Sequence, residues 1–299
     1  LRGKTNLPAT RPILIFDAGL GGLTVAEAIA TRCPGQQLVY VGDTAGGPYG
    51  TKSPRFVADR ATRLIRAFRD SHDPCHVVVA CNTTSAVALD EIRSALPGLG
   101  ISGVVEPGAR AVSSAAGDKV RPTLGVMATS AALRSRAYHV AVGTRRMRSR
   151  ILLRPCPLLA PMVEEGRPAT DPLVKAAIRE YTRPMRHAGV DVLLLGCGHF
   201  AVYRRTFERY MPKAVVIDSA TATADDLARR LNGDSADATD AGPNHEFHVT
   251  DDPDRFRRLA RRVCDLRVTT PTLVDFDRLG ENKLSDPEQP TTTPLRAAG

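Results

Sequence analysis

Two stretches of this chain resemble each other and restrict its fold more than any other feature. They are residues 76–86, HVVVACNTTSA, and residues 191–201, DVLLLGCGHFA. In each, an apolar run leads to a cysteine and then to small polar residues. This pattern predicts a buried strand that carries a thiol into a loop at its carboxyl end. Two such strand ends predict one site with two thiols, Cys81 and Cys197.

Aligning Cys81 with Cys197 brings other segments into correspondence. Residues 14–17 then fall near residues 125–128, and residues 104–106 fall near residues 216–218. We therefore predict an α/β fold made of two related halves that face each other.

Composition excludes several classes of protein. The chain has 299 residues, of which 42% are hydrophobic and 24% charged, as is typical of soluble globular proteins. It contains no apolar run near the roughly 20 residues that a membrane span needs, and no start typical of a signal peptide. We predict a cytoplasmic protein with no membrane partner.

The cysteines and the charge narrow the choice further. No Cys-x-x-Cys pair occurs, so a disulfide scaffold and a zinc site are disfavoured and free thiols are expected. The net charge is +9, with seven arginines between Arg134 and Arg154. No aromatic platform or nucleic-acid motif accompanies them, which favours a solvated face or attraction of an acidic substrate over nucleic-acid binding.

Local patterns predict the elements around the thiols. Residues 12–17 predict a strand, residues 18–22 a glycine-rich turn and residues 23–32 a helix. The turn lacks the third glycine of a dinucleotide fingerprint, although its backbone donors suit a phosphate or a carboxylate. Ser53 and Pro54 predict the start of a helix.

Three further expectations concern helices and a strand. In the helix that begins at Ser53 and Pro54, Phe56 is predicted to face inward. Arginines at three-residue spacing are predicted to form a solvated stripe on it: Arg60, Arg63, Arg66 and Arg69. Residues 84–96 predict one helix, and residues 104–105 a strand.

Four chemistries use thiols placed like Cys81 and Cys197. A cysteine hydrolase needs one nucleophile with a histidine base, which leaves the second thiol unexplained. A dithiol redox pair would exclude a substrate between the sulfurs, and a metal site formed with His199 lacks an evident fourth ligand. In two-base proton transfer, one thiolate removes a proton from carbon and the opposite thiol returns one. This last reaction explains both cysteines and the repeat.

Such thiols need neighbours that take or share their protons, because free cysteine titrates near pH 8.5. Asp17 ends the first predicted strand and is the candidate beside Cys81. His199 is the candidate beside Cys197. The competing interpretations are a helix-capping aspartate and a surface histidine. Cys33, Cys75, Cys156 and Cys264 are interpreted as packing residues.

The chain resembles the cofactor-independent glutamate racemases of the aspartate/glutamate racemase superfamily. The resemblance runs from about residue 12 to residue 263, and its motifs occur in the family's order. They are Phe16-Asp17-Ala18-Gly19-Leu20-Gly21-Gly22-Leu23-Thr24-Val25, Gly42-Asp43-Thr44-Ala45, Pro48-Tyr49-Gly50-Thr51-Lys52-Ser53, Ala80-Cys81-Asn82-Thr83, Glu106-Pro107-Gly108-Ala109, Met162-Val163-Glu164 and Gly196-Cys197-Gly198-His199.

The resemblance implies two pseudo-symmetric, doubly wound α/β domains with the active site in the cleft between them. We expect residues 12–104 plus 219–276 in the first domain, residues 105–218 in the second, and flexible tails at residues 1–11 and 277–299. The resemblance also implies a homodimer that acts on a small amino acid, needs no cofactor or metal and supplies D-glutamate for peptidoglycan.

The resemblance also implies the roles of the site residues. Cys81 and Cys197 would be the acid/base thiols, assisted by Asp17 and His199 respectively, and Glu164 would support His199. Glu165 is the competing candidate for that last role. The substrate-binding residues would be Ala18, Asp43, Pro48, Tyr49, Gly50, Asn82, Thr83, Thr129 and Gly198.

Three departures from the family pattern leave the substrate open. Ala18 stands where the family has serine, while Gly198 and Ala132 stand where it has threonine. A hydrogen bond to a charged group contributes about 1.5–3 kcal/mol, so two lost hydroxyls should weaken glutamate binding strongly. A glutamate racemase with changed contacts, an enzyme for a larger or less acidic amino acid, and a one-cysteine lyase or decarboxylase all stay open. A binding protein without catalysis is disfavoured because both thiols and their helpers are present.

Overall fold

In the computed structural model, which describes residues 11–145, 148–231 and 244–279, parallel strands form two sheets flanked by helices. The strands within these ranges are β1 Ile13–Asp17, β2 Leu38–Gly42, β3 His76–Val79, β4 Ile101–Gly103, β5 Thr123–Ala128, β6 Arg150–Pro155, β7 Val192–Gly196, β8 Val215–Asp218, β9 Glu246–Val249 and β10 Thr272–Leu273. The helices are α1 Leu23–Arg32, α2 Pro54–His72, α3 Asn82–Val87, α4 Leu89–Ala95, α5 Val105–Ala115, α6 Ser130–Arg134, α7 Ala137–Gly143, α8 Leu159–Glu164, α9 Pro172–His187, α10 Gly198–Ala201, α11 Arg204–Tyr210, α12 Ser219–Arg230 and α13 Pro253–Val263.

The strand orders are β10-β9-β2-β1-β3-β4 in the first sheet and β6-β5-β7-β8 in the second. Every strand pairing recorded in both sheets is parallel. The first sheet draws on both ends of the described chain and the second on its middle. The predicted α/β class with two facing units is confirmed, while the domain limits stay a prediction.

The core lies on both faces of each sheet, because helices cover both. Along β1, Ile13 and Ile15 pack into one apolar cluster, whereas Leu14 and Phe16 pack into another on the opposite face. This alternation follows from the two-residue period of a strand. The apolar strands β1, β2 and β7 are therefore buried along their whole length, and polar groups follow at their carboxyl ends.

Several local predictions are corrected. Residues 104–105 are not a strand, because β4 ends at Gly103 and α5 begins at Val105. The helix predicted over residues 84–96 is interrupted at Ala88, whose φ of −135° is not helical. Ser53 does cap α2 by accepting from the backbone N–H of Phe56, but the Phe56 side chain is exposed.

The predicted tails lie mostly outside the described residues. Of residues 1–11 only Arg11 is described, where it forms an ion pair with Asp73. Of residues 277–299 only 277–279 are described, and the Leu279 carbonyl accepts from Arg63 of α2 at 3.0 Å. Across the described ranges, no helix combines the length and apolar character needed to cross a membrane.

Candidate active site

A cavity lies where the carboxyl ends of strands from both sheets meet, with about 60 Å³ of internal space. It contains four of the five predicted catalytic residues, Asp17, Cys81, Cys197 and His199. It also contains eight of the nine predicted binding residues: Ala18, Pro48, Tyr49, Gly50, Asn82, Thr83, Thr129 and Gly198. Glu164 and Asp43 are outside this lining and contact His199 and Tyr49, which belong to it.

Cys197, His199 and Glu164 form a chain of contacts on one side of the cavity. Cys197 follows β7, and its Sγ lies 3.6 Å from Nδ1 of His199. The other ring nitrogen, Nε2, lies 2.7 Å from Oε1 of Glu164. All three belong to the second half of the chain, and Glu164 Oε1 also accepts from the backbone N–H of Leu20 in the first half, at 3.4 Å.

The surroundings of His199 and Glu164 favour the charged forms of both side chains. Burial lowers the pKa of His199, but its contacts with Cys197 and Glu164 outweigh burial and hold that pKa well above the usual value. Burial raises the pKa of Glu164, yet the hydrogen bond from His199 brings it below the ordinary value. A protonated His199 can therefore donate through Nδ1 towards Sγ of Cys197 and through Nε2 to Glu164.

Cys81 and Asp17 lie on the other side of the cavity. Cys81 is the N-cap of α3, and its Sγ lies 3.5 Å from the backbone N of Thr84. Burial, reinforced by the nearby Asp17, raises the pKa of the Cys81 thiol to about 12. Burial also raises the pKa of Asp17, whose Oδ2 accepts from the N–H of Gly19 at 2.9 Å. This thiol is protonated at neutral pH, beside a carboxyl group able to share its proton.

Two glycines from opposite halves meet beneath the cavity. A Cβ atom on Gly198 would overlap the carbonyl oxygen of Gly21, and a Cβ on Gly21 would lie 2.6 Å from Nδ1 of His199. The glycine-rich turn thus allows the backbone to approach the histidine closely. The absent threonine side chain at Gly198 leaves no added room in the cavity, because the Cα–Cβ direction points into the Gly21 backbone.

Asn82 and two threonines form a polar network at the ends of β3 and β5. Asn82 donates from Nδ2 to the Tyr138 hydroxyl at 2.6 Å and to Ser219 Oγ at 3.0 Å. Its Oδ1 is buried, and no group in the described part of the chain forms a hydrogen bond with it. The hydroxyls of Thr83 and Thr129 lie 2.9 Å apart. A buried acceptor beside hydroxyls is suited to a ligand that brings its own donors.

The structure places Asp43 outside the cavity lining, because protein groups occupy its carboxylate. Arg60 donates to both oxygens at 2.5 Å, Thr250 donates to Oδ1 at 2.8 Å, and the Tyr49 hydroxyl donates to Oδ2. Asp43 therefore positions Tyr49, which does line the cavity, and does not itself face a ligand.

Arg60 corrects the predicted solvated stripe. Its guanidinium carbon lies 3.6 Å from the ring centroid of Phe276 while it binds Asp43, and only 15% of its side chain is exposed. Arg63 also stacks on Phe276, at 4.2 Å. Arginine spacing on a helix gave no sign of this role, since Asp43 and Phe276 are distant in sequence.

Sequence reasoning missed part of the lining. Ser130 and Thr51 contribute hydroxyl side chains, and Cys156, interpreted as a packing residue, also reaches the cavity. Ser130 directly follows the predicted Thr129, a signal that was available in the sequence. Ala132 is not part of the lining, since it packs with Val126 and Tyr138 in an apolar cluster and its N–H donates to Thr129 Oγ1 at 3.3 Å.

Comparison with known proteins assigns the family. The model of the Asp/Glu/hydantoin racemase family matches residues 23–227. A glutamate racemase of Geobacter metallireducens is 38% identical over 254 residues, which are 84% of this chain and 92% of the relative. The chain belongs to the Asp/Glu/hydantoin racemase family.

Solved structures of racemases agree with this assignment. Glutamate racemase from Francisella tularensis, crystallised with D-glutamate, superposes with a TM-score of 0.81 at 27% identity, covering 90% of this chain and 99% of that one. The Thermus thermophilus glutamate racemase, crystallised with β-chloro-D-alanine, gives 0.77 at 33% identity, covering 90% and 98%. This racemase thus shares the paired α/β architecture of these two structures.

Proposed function

We propose that this racemase interconverts L- and D-glutamate by two-base proton transfer between Cys81 and Cys197. The observation that carries the proposal is the pair of buried thiols in one cavity, each beside a different helper. His199 and Glu164 support one thiol, and Asp17 lies near the other.

The reaction begins with a thiolate at Cys197 and a thiol at Cys81. The Cys197 thiolate takes the α-proton from one face of the substrate, and the Cys81 thiol delivers its proton to the opposite face. The α-carbon is inverted, with a thiol now at Cys197 and a thiolate at Cys81. The opposite direction uses the thiols in exchanged roles, and Asp17 and His199 restore the starting protonation by exchange with water.

The substrate's polar groups match the unused groups of the cavity. The α-ammonium can donate to Oδ1 of Asn82, which has no other partner within residues 11–145, 148–231 and 244–279. The hydroxyls of Thr83 and Thr129 can reorient to donate to a carboxylate. Glu164 and Asp43 act from behind the lining, by holding His199 and Tyr49 in place.

A less acidic amino acid is the second candidate substrate. Its specific support is that the cavity lining described here includes no lysine or arginine to pair with a side-chain carboxylate. Ala18 also supplies no hydroxyl at its position in this wall. A lyase or decarboxylase using one cysteine is the remaining alternative.

Proton NMR in deuterated water tests these alternatives directly. Without added cofactor, L-glutamate should lose its α-proton signal while chiral chromatography detects D-glutamate. Both changes should disappear in Cys81→Ala and Cys197→Ala and persist in Cys33→Ala, whose thiol lies outside the cleft. Preference for another amino acid in a parallel panel would replace glutamate, and a product that is not the enantiomer would exclude racemisation.

We also propose that the protein forms a homodimer and is located in the cytoplasm, as the family resemblance implies. Light scattering coupled to size-exclusion chromatography should give twice the 32.1 kDa chain mass, and a monomer mass would contradict the dimer.

A further inference from the structure

His72, Glu246 and His248 converge at a place separate from the catalytic cavity. His72 is the last residue of α2, whereas Glu246 and His248 lie on β9. Because alternate residues of a strand share a face, Glu246 and His248 point to the same side of β9. Phe247, between them, packs into the apolar cluster on the other side of the sheet.

The distances between the donor atoms are too long for ordinary hydrogen bonds. Oε2 of Glu246 lies 3.4 Å from Nε2 of His72 and 3.5 Å from Nε2 of His248. Ordinary N–H···O hydrogen bonds measure about 2.7–3.2 Å. Consistent with this, Nε2 of His248 is buried and has no hydrogen-bond partner among the described residues.

The same spacing fits ligands around one ion. With zinc–ligand distances of about 2.0–2.1 Å, neighbouring ligands of a tetrahedral site are about 3.3–3.4 Å apart. The three donor atoms of His72, Glu246 and His248 all lie within 4.8 Å of one another. Two imidazoles and a carboxylate, with water as the fourth ligand, are also a donor set that zinc accepts.

Surrounding groups orient the three side chains. Nδ1 of His72 lies 2.6 Å from Ser71 Oγ, which leaves Nε2 for the cluster. Gln37 donates to Oε1 of Glu246 at 3.0 Å, which leaves Oε2 facing the histidines. The Phe68 ring contacts both imidazoles, with centroid distances of 5.1 and 4.8 Å. Such supporting contacts are typical of metal sites.

We propose that His72, Glu246 and His248 bind a divalent transition-metal ion, with Zn²⁺ as the best match, and that the ion fastens α2 to β9. The topology of the sheet places this cluster far from the catalytic cavity. His72 lies at the end of α2 that leads to β3, hence at the amino edge of the sheet, whereas the catalytic residues lie at the carboxyl edge. The ion is structural and takes no part in proton transfer.

Zinc binding to the 299-residue chain tests the proposal. Protein carrying Cys81→Ala and Cys197→Ala removes the cavity thiols as competing ligands. After dialysis against a chelator, it is titrated with Zn²⁺ by calorimetry and loaded with Co²⁺ for spectroscopy. We expect one zinc equivalent, tetrahedral Co²⁺ bands without thiolate charge transfer, and a higher melting temperature with Zn²⁺.

Matched substitutions assign the binding to this cluster. His72→Ala, His248→Ala and Glu246→Gln should each weaken zinc binding by at least about 10–100-fold, the loss seen when even a supporting residue is removed. His187→Ala, at an exposed histidine elsewhere, should bind as before. Circular dichroism without metal checks that each variant is folded. Absence of the zinc equivalent, or its retention in folded His72→Ala and His248→Ala proteins, would overturn the proposal.

Discussion

Glu164 and Glu165 are adjacent in sequence but differ completely in their contacts. Glu164 reaches Nε2 of His199 at 2.7 Å, whereas Glu165 is exposed and pairs with Arg255 at 3.3 Å. The competing assignment of Glu165 therefore has no geometric support. Sequence reasoning could not separate the two, because a helix end turns neighbouring side chains in directions that only the fold determines.

We predict that Glu164→Gln slows α-proton exchange by about 10²-fold, because the amide cannot stabilise a protonated His199. Glu165→Gln is the matched control and should retain the exchange rate. The rates of both variants are measured by NMR in deuterated water, starting from each enantiomer. Equal rates in the two variants would remove Glu164 from the catalytic chain.

Restoring the family's hydroxyls should have opposite effects at two positions. At Gly198, a side chain would overlap the Gly21 backbone, so Gly198→Thr should lower stability by about 1–3 kcal/mol and reduce the turnover number. Ala18 lines the cavity, so Ala18→Ser can add a hydrogen bond to a charged substrate and lower the KM for glutamate by about 10- to 100-fold.

Steady-state kinetics and urea unfolding of the two variants measure these effects. A stable, faster Gly198→Thr enzyme would show that the threonine fits after all. A higher KM in Ala18→Ser would favour a substrate less acidic than glutamate.

At the scale of elements, the pattern of apolar residues predicted most strands because buried parallel strands are continuously apolar. It failed at residues 104–105, where two valines belong to a helix start instead of a strand. It also failed to separate α3 from α4, since the break at Ala88 depends on backbone geometry that alanine does not signal. The six-residue α3 nevertheless begins at the candidate active site, because Cys81 caps it.

The strand β3 contains a buried histidine that should make the fold sensitive to acid. Nε2 of His76 lies 2.9 Å from Ser102 Oγ of β4, and burial lowers the pKa of His76 to about 4 from 6.5. Between pH 4 and pH 6.5, His76 therefore binds a proton in the unfolded chain but not in the folded chain. Stability is retained above pH 6.5 and falls by about 3 kcal/mol as the pH drops to 4.

We predict that His76→Gln, which can still reach Ser102, flattens this acid-dependent loss of unfolding free energy. Urea unfolding between pH 4 and pH 7.5 measures it, with His139→Gln at an exposed histidine as the control. Parallel pH dependence in wild-type and His76→Gln protein would show that other groups cause the loss.

At the scale of the whole molecule, the pair formed by His199 and Glu164 should make the contact between the two halves sensitive to pH. Glu164 accepts from both His199 and Leu20, so the pair lies on a contact between the halves. The raised pKa of His199 makes its contribution complete below pH 6.5 and lost as the pH rises through that pKa. The lowered pKa of Glu164 makes its contribution complete above pH 4.5 and lost as the pH falls further.

We therefore predict that the melting temperatures of wild-type and Glu164→Gln protein differ most between pH 4.5 and pH 6.5. Differential scanning calorimetry across pH 4–10 measures the difference. It should shrink at alkaline pH as His199 loses its proton. A difference that is constant over this range would mean that the pair is not charged.

The site was largely predictable because its residues follow strand ends, and parallel strands bring their carboxyl ends to one edge. Asp17 is the last residue of β1, Cys81 lies two residues after β3 and Cys197 directly follows β7. Arg60 was not predictable, because its partners Asp43 and Phe276 come together only in the folded chain. The histidine–carboxylate cluster was missed for the same reason, as α2 and β9 are far apart in sequence.

The contact between Gly21 and Gly198 offers a place where spectroscopy can observe the cleft. Backbone meets backbone across the two halves, so a hinge motion between the halves would separate these glycines and carry the turn away from the imidazole of His199. The NMR signals of their two amide groups would report such a motion. A ligand that closes the cleft would shift both signals together.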